Sequence, residues 1–205
     1  MLVIHPKDKT TTMLSALYEG LEAQVVDDCR STKEMGHLLH HLSTHERIMW
    51  LGHGSDKGLF YRADDSKEGF DKVIVGHPHT YHLQKHGGNI VAVWCNADQF
   101  ARAEGLHGLF TGMIVSELSE ALLYQVETTQ EELNSENVKL ARRQRTFLDE
   151  RIPLNEIPKR MLAMDNVHSP LTTFKYNNSG LFVIGNRLLP PLYYHKRIIT
   201  KKHIF

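Results

Sequence analysis

The chain has 205 residues, 41% of them hydrophobic, and its 24 basic and 24 acidic side chains cancel to a formal net charge of zero. That length and apolar content suit one α/β domain with a buried core, and the charge balance argues against a nucleic-acid partner, which would select a basic excess. No run approaches the roughly 18–20 apolar residues of a membrane span, the N-terminus turns polar after Ile4 as no signal peptide does, and two cysteines are too few for a disulfide framework, so a reducing cytoplasm is the expected setting.

Leu2, Val3 and Ile4 form a short apolar run that His5, Pro6, Lys7 and Asp8 break, which predicts a buried first strand. Residues 10–18 carry Met13, Leu14 and Leu17 at helical spacing, with threonines as caps and Gly20 as the stop. Residues 23–26 predict a second strand closed by Asp27 and Asp28. Ser31 with Glu34 three residues on is a capping-box signature for a helix whose core face is Leu38, Leu39 and Leu42. Residues 48–51 predict a third strand that stops at Gly52, His53 and Gly54, and residues 59–61 a small hairpin arm. A helix over 78–85 precedes a fourth strand over 89–94, which ends at Cys95. A short helix over 97–104, a strand over 109–115 and a helix from Ser116 through Tyr124 follow. Residues 127–150 are highly charged and predict a long solvent-facing helix, broken near Asn134; residues 157–164 predict a further short helix. Residues 172–176 and 181–184, joined by Asn177, Asn178, Ser179 and Gly180, read as a late hairpin before a basic tail. Short apolar strands alternating with helices predict a mostly parallel sheet covered on both faces, with functional groups at the carboxyl ends of its strands.

Two of those predicted strands end in reactive side chains. If they are parallel neighbours, His53 and Cys95 emerge on one edge of the sheet. A thiol becomes a competent nucleophile when a nearby imidazole takes its proton and later returns one to the leaving group. Glycines on both sides of His53 let a substrate backbone approach, and free the Gly54 N–H to face an oxyanion. These are the parts of an acyl-transfer site.

In this order and spacing, Trp50-Leu51-Gly52-His53-Gly54 and Val91-Ala92-Val93-Trp94-Cys95, followed by the turn from Ser55 to Phe60, resemble the caspase-like cysteine peptidases: caspases, legumain, gingipains, clostripain and their relatives. The resemblance covers roughly residues 1–125 of one domain spanning 1–205; nothing in 126–205 matches. It implies a three-layer α/β/α sandwich of the caspase type and a peptide or protein substrate, with no cofactor. His53 would be the general acid/base and Cys95 the nucleophile that forms a thioester acyl-enzyme. The backbone N–H groups of Gly54 and Cys95 would form the oxyanion hole. Many relatives place a polar, substrate-reading residue two positions before the cysteine. Here that position is Val93, so no substrate preference carries over. Lys7 and Lys9, just after the first strand, are candidates to receive an acidic substrate side chain. Glu117 is a candidate for a basic one, and Ser116 is a further candidate contact, with helix capping as the competing reading of both.

Two rivals stand beside the peptidase. Val93 and the unmatched C-terminal third fit a catalytically silent domain of the same fold, serving as a binding or regulatory module. The 14 histidines allow a metal hydrolase built from His53, His77, His79 and His82, although no Asp, Glu or Cys is interleaved with the run from His77 to His86. Cys29, beside Asp27 and Asp28, is expected to be inert.

Overall fold

The structure, a computed structural model, describes residues 1–64, 66, 69–164 and 181–184. Its centre is a six-stranded sheet formed by β1 (Leu2–Ile4), β2 (Gln24–Val26), β3 (Ile48–Leu51), β7 (Ile90–Val93), β8 (Gly108–Thr111) and β9 (Leu181–Ile184), in the order β2-β1-β3-β7-β8-β9. The first five strands are parallel, and β9 closes one edge antiparallel to β8. A second, antiparallel sheet joins β4 (Gly54–Ser55), β5 (Gly58–Tyr61) and β6 (Lys72–Gly76).

Alternation along the strands sorts the core into two halves, because successive side chains point to opposite faces. Leu2, Ile4, Ile48, Trp50, Ile90, Ala92 and Phe110 pack on one face with Met35 and Leu39 of α1 (Thr32–His41), Leu83 of α2 (Thr80–Gln84) and Phe100 of α3 (Ala97–Ala103). Val3, Met49, Leu51, Val91, Val93 and Leu109 pack on the other face. They meet a 3-10 helix at Thr12–Leu17, the long helix α5 (Gln130–Asp149) and α6 (Ile157–Ala163). The result is an α/β/α arrangement of three layers. A last short helix, α4 (Leu118–Leu123), lies between β8 and α5 in the chain. Among the described residues, no helix is long and apolar enough to cross a membrane.

Three expectations need correction. The segment after β1 winds as a 3-10 helix at Thr12–Leu17 rather than as an α-helix. The run Lys72–Gly76, for which no strand was expected, is β6 and completes the small sheet. α5 is continuous through Asn134 and buries one face: Leu140, Ala141, Phe147 and Leu148 pack against the sheet and the 3-10 helix, Leu133 packs with Val115 and Ala121, and Asn137 and Gln144 are buried in the same stripe. Its charge misled because two members of the stripe, Asn137 and Gln144, are polar. β9 finds its partner in β8, so the C-terminal third contributes to the central sheet; the expected hairpin arm at 172–176 and the basic tail lie outside the described residues. The capping box on α1 forms as expected, with the Ser31 hydroxyl accepting from the Glu34 N–H and the Glu34 carboxylate accepting from the Ser31 N–H.

Candidate functional site

β3 and β7 are hydrogen-bonded neighbours in parallel, with Leu51 opposite Val93 at their carboxyl ends. His53 and Cys95 each lie two residues beyond that pair, so one register delivers both side chains to the same edge. Gly52 continues the pairing by donating its N–H to the Val93 carbonyl at 3.1 Å. It then turns with φ of 144°, a region that favours glycine. Beyond Cys95 the chain enters α3 through Asn96 at φ of 66°, a left-handed conformation that Asn tolerates better than most residues. Cys95 therefore occupies a sharp strand-to-helix elbow. The Asn96 N–H donates to the Gly112 carbonyl, and the Thr111 hydroxyl bridges the Trp94 N–H and carbonyl.

His53, Gly54 and Cys95 line one open cleft of about 800 Å³, with Thr10, Arg62 and Phe70 on one side and Met113, Glu117 and Glu120 on the other. A void of about 20 Å³, roughly one water molecule in size, opens behind the sulfur and is walled by Val93, Met13, Ile114 and Leu140. Val93 is thus part of a small apolar floor. Gly54 has no room for a side chain: a Cβ there would run into the Trp94 ring and the Gly58 carbonyl oxygen. The Trp94 indole stacks near Trp50 and Phe100 and donates from Nε1 to the Ser55 carbonyl, tying the small sheet to the residue before Cys95.

The sulfur is at rest. Its S–H donates to the Ile114 carbonyl at 3.3 Å. Burial foremost, then the Glu120 and Glu117 carboxylates, push the Cys95 thiol up to about 12. His53 is held from the opposite direction. Its Nε2 lies 2.6 Å from the Thr10 hydroxyl and 3.5 Å from Asp8 Oδ1. Asp8 also accepts from the Thr10 hydroxyl at 2.6 Å, the Thr10 N–H at 2.9 Å and Arg62 Nε at 2.6 Å. The Asp8, His53 and Arg62 side chains are only 6%, 11% and 12% exposed, so these contacts work in a reduced dielectric. Burial alone would raise the Asp8 pKa; the bonds from His53, Arg62 and Thr10 outweigh it and hold the carboxyl well below the usual carboxylate range. Phe70 stacks on the His53 ring with centroids 5.2 Å apart, and the Arg62 guanidinium lies over the same phenyl.

The remaining sequence candidates divide. Glu117 is on the cleft wall, and Ser116 lines the groove beside it together with Lys9. The Ser116 N–H and hydroxyl and the Glu117 N–H all donate to the Glu120 carboxylate, so part of the capping reading holds. Lys7 is not part of the cleft wall; it borders a small void beside His53 and is 83% exposed and paired with Asp27 at 2.9 Å. The histidines proposed as metal ligands have separate partners. His77 bonds Glu104, His79 accepts from the Gly76 N–H and faces the Thr32 carbonyl, and His82 packs on His40. Among the described residues, no three His, Cys, Asp or Glu side chains are placed to hold a metal ion. Cys29 is exposed and free. Asp8, Thr10 and Arg62 carried no sequence signal for a site; each reads locally as a strand breaker, a cap or a loop cation.

Neither the known protein families, nor the curated proteins, nor the solved structures contain a match to this chain.

Proposed function

We propose that the chain is a cysteine endopeptidase of the caspase-like kind, with Cys95 as nucleophile and His53 as its acid/base partner. The observation that carries this reading is the register of β3 and β7, which delivers an imidazole and a thiol into one cleft large enough for an extended peptide. The resting thiol is un-ionised, so the mechanism starts from the S–H form. As the peptide carbonyl arrives, the Cys95 proton passes to His53 and sulfur bonds to the carbonyl carbon; the Gly54 and Cys95 N–H groups face the developing oxyanion. His53 then protonates the leaving amine, and water hydrolyses the thioester with His53 as base. Glu117 and Glu120 make one cleft wall acidic, while Arg62 is neutralised by Asp8, so the walls favour a cationic over an anionic substrate side chain.

The raised pKa of the half-buried thiol and the closed floor at Val93 favour a second reading, a silent binding module on the same scaffold. A peptide-library digest separates the two. Cleavage by the wild type that disappears in Cys95→Ala supports the peptidase. No cleavage of any peptide, or cleavage that survives Cys95→Ala, removes it.

A further inference from the structure

We propose that Asp8 and Thr10 form a positioning relay for His53, in which a hydroxyl inserted between carboxylate and imidazole fixes the ring's tautomer and steadies the charge that the ring acquires. The role in turnover rests on the peptidase reading; the relay itself rests on geometry alone. Thr10 Oγ lies 2.6 Å from both Asp8 Oδ1 and His53 Nε2. A hydroxyl has one proton and two lone pairs. Asp8 is ionised and can only accept, so the Thr10 proton points to Asp8. The Thr10 oxygen must then accept from His53, which places the imidazole hydrogen on Nε2. The lone pair of a neutral ring is left on Nδ1, the nitrogen that does not bond Thr10 and the one we assign as base for the thiol.

The contact from Asp8 to the ring is 3.5 Å, longer than a good hydrogen bond; the bridge through Thr10 supplies the short path. On attack the Cys95 S–H bond breaks and its proton joins Nδ1, while the sulfur electron pair forms the bond to carbon. The resulting imidazolium donates more strongly from Nε2 to Thr10, and Thr10 to Asp8, with no second proton leaving. Arg62 Nε at 2.6 Å occupies the other carboxylate oxygen and keeps Asp8 an anion rather than a proton store. The charged groups around His53 are Asp8, Arg62 and Lys7 on the relay side and Glu117 and Glu120 across the cleft, with the un-ionised Cys95 thiol between them.

The experiment compares wild type with Thr10→Val, Thr10→Ser and Asp8→Asn by nitrogen-15 NMR of the imidazole ring and by steady-state kinetics on a cleaved peptide. The relay predicts an Nε2–H tautomer in wild type and Thr10→Ser, and a mixed or inverted tautomer in Thr10→Val. It predicts a kcat loss of about ten- to a hundredfold in Thr10→Val, the size of one lost charge-assisted hydrogen bond, with KM little changed and most of the loss rescued in Thr10→Ser. In Asp8→Asn the Thr10 hydroxyl loses its carboxylate acceptor, so the Nε2–H tautomer is no longer enforced and kcat falls by a similar factor. A wild-type ring protonated on Nδ1, or wild-type kcat in Thr10→Val, overturns the relay. If no peptide is cleaved at all, the peptidase reading fails, and the ring tautomers in wild type and Thr10→Val still decide the relay.

Discussion

Alkylation of the resting thiol tests the electrostatics of the site without needing a substrate. In a Cys29→Ser background, Cys95 is the only thiol of the chain. At pH 7.5 a thiol raised to about 12 is ionised to about three parts in 10⁵. An ordinary thiol near 8.5 is ionised to about one part in ten, a ratio of about 3,000. The more basic thiolate is intrinsically the better nucleophile, with a Brønsted slope of about 0.4–0.5, which returns about fortyfold. Iodoacetamide should therefore modify Cys95 about a hundredfold more slowly than the cysteine of a short unstructured peptide in the same tube, read by intact-mass spectrometry over time. Glu120→Gln removes the acid with the larger opposing effect and should speed the reaction; Glu117→Gln should do so less. A Cys95 that reacts within about threefold of the free thiol at this pH would refute the picture of a half-buried, acid-flanked sulfhydryl, and with it a mechanism that starts from the S–H form.

Other consequences are open to measurement. Burial pushes His5 down to about 4 despite hydrogen bonds to Tyr18 and the Thr11 carbonyl. The unfolded chain therefore takes up a proton at His5 near pH 6.5 that the folded chain refuses until about 4. Stability from this group is complete above pH about 6.5 and falls as pH drops, by about 3 kcal/mol at most; His5→Gln should flatten the denaturant-midpoint profile between pH 6.5 and 4.5, and a parallel profile would contradict it. Gly54→Ala forces a methyl against the Trp94 ring and a backbone oxygen, neither of which can retreat. It should cost about 1–3 kcal/mol by thermal melting and abolish peptide cleavage, whereas an unshifted melt would show that the small sheet yields.

What the chain announced about itself follows from how far each signal reaches. Apolar runs such as 48–51 and 90–93 are complete within four residues, so the parallel strands and their reactive ends were legible. The capping box at Ser31 is likewise local. α5 was legible as a helix but not as a buried one, because the stripe that meets the sheet includes Asn137, whose amide donates to the Val115 carbonyl, and Gln144. β6 was missed although Val73, Ile74 and Val75 spell a strand, since its partner is an arm with a register shift at Leu59/Phe60. The grip on His53 was beyond reach: Asp8 and Thr10 precede it by more than forty positions, and only the pairing of β1 with β3 folds them alongside.

The indole of Trp94 makes one unit out of two sheets. Its ring is clamped between Trp50 and Phe100 while its nitrogen grips the arm that carries Gly54. Any tilt imposed on that arm by a bound chain must travel through a rigid bicyclic lever to the peptide that precedes the sulfur. Gly54, the proposed oxyanion donor, and Cys95, the proposed nucleophile, then cannot drift independently: loosening one misaligns the other, and tightening one sets both.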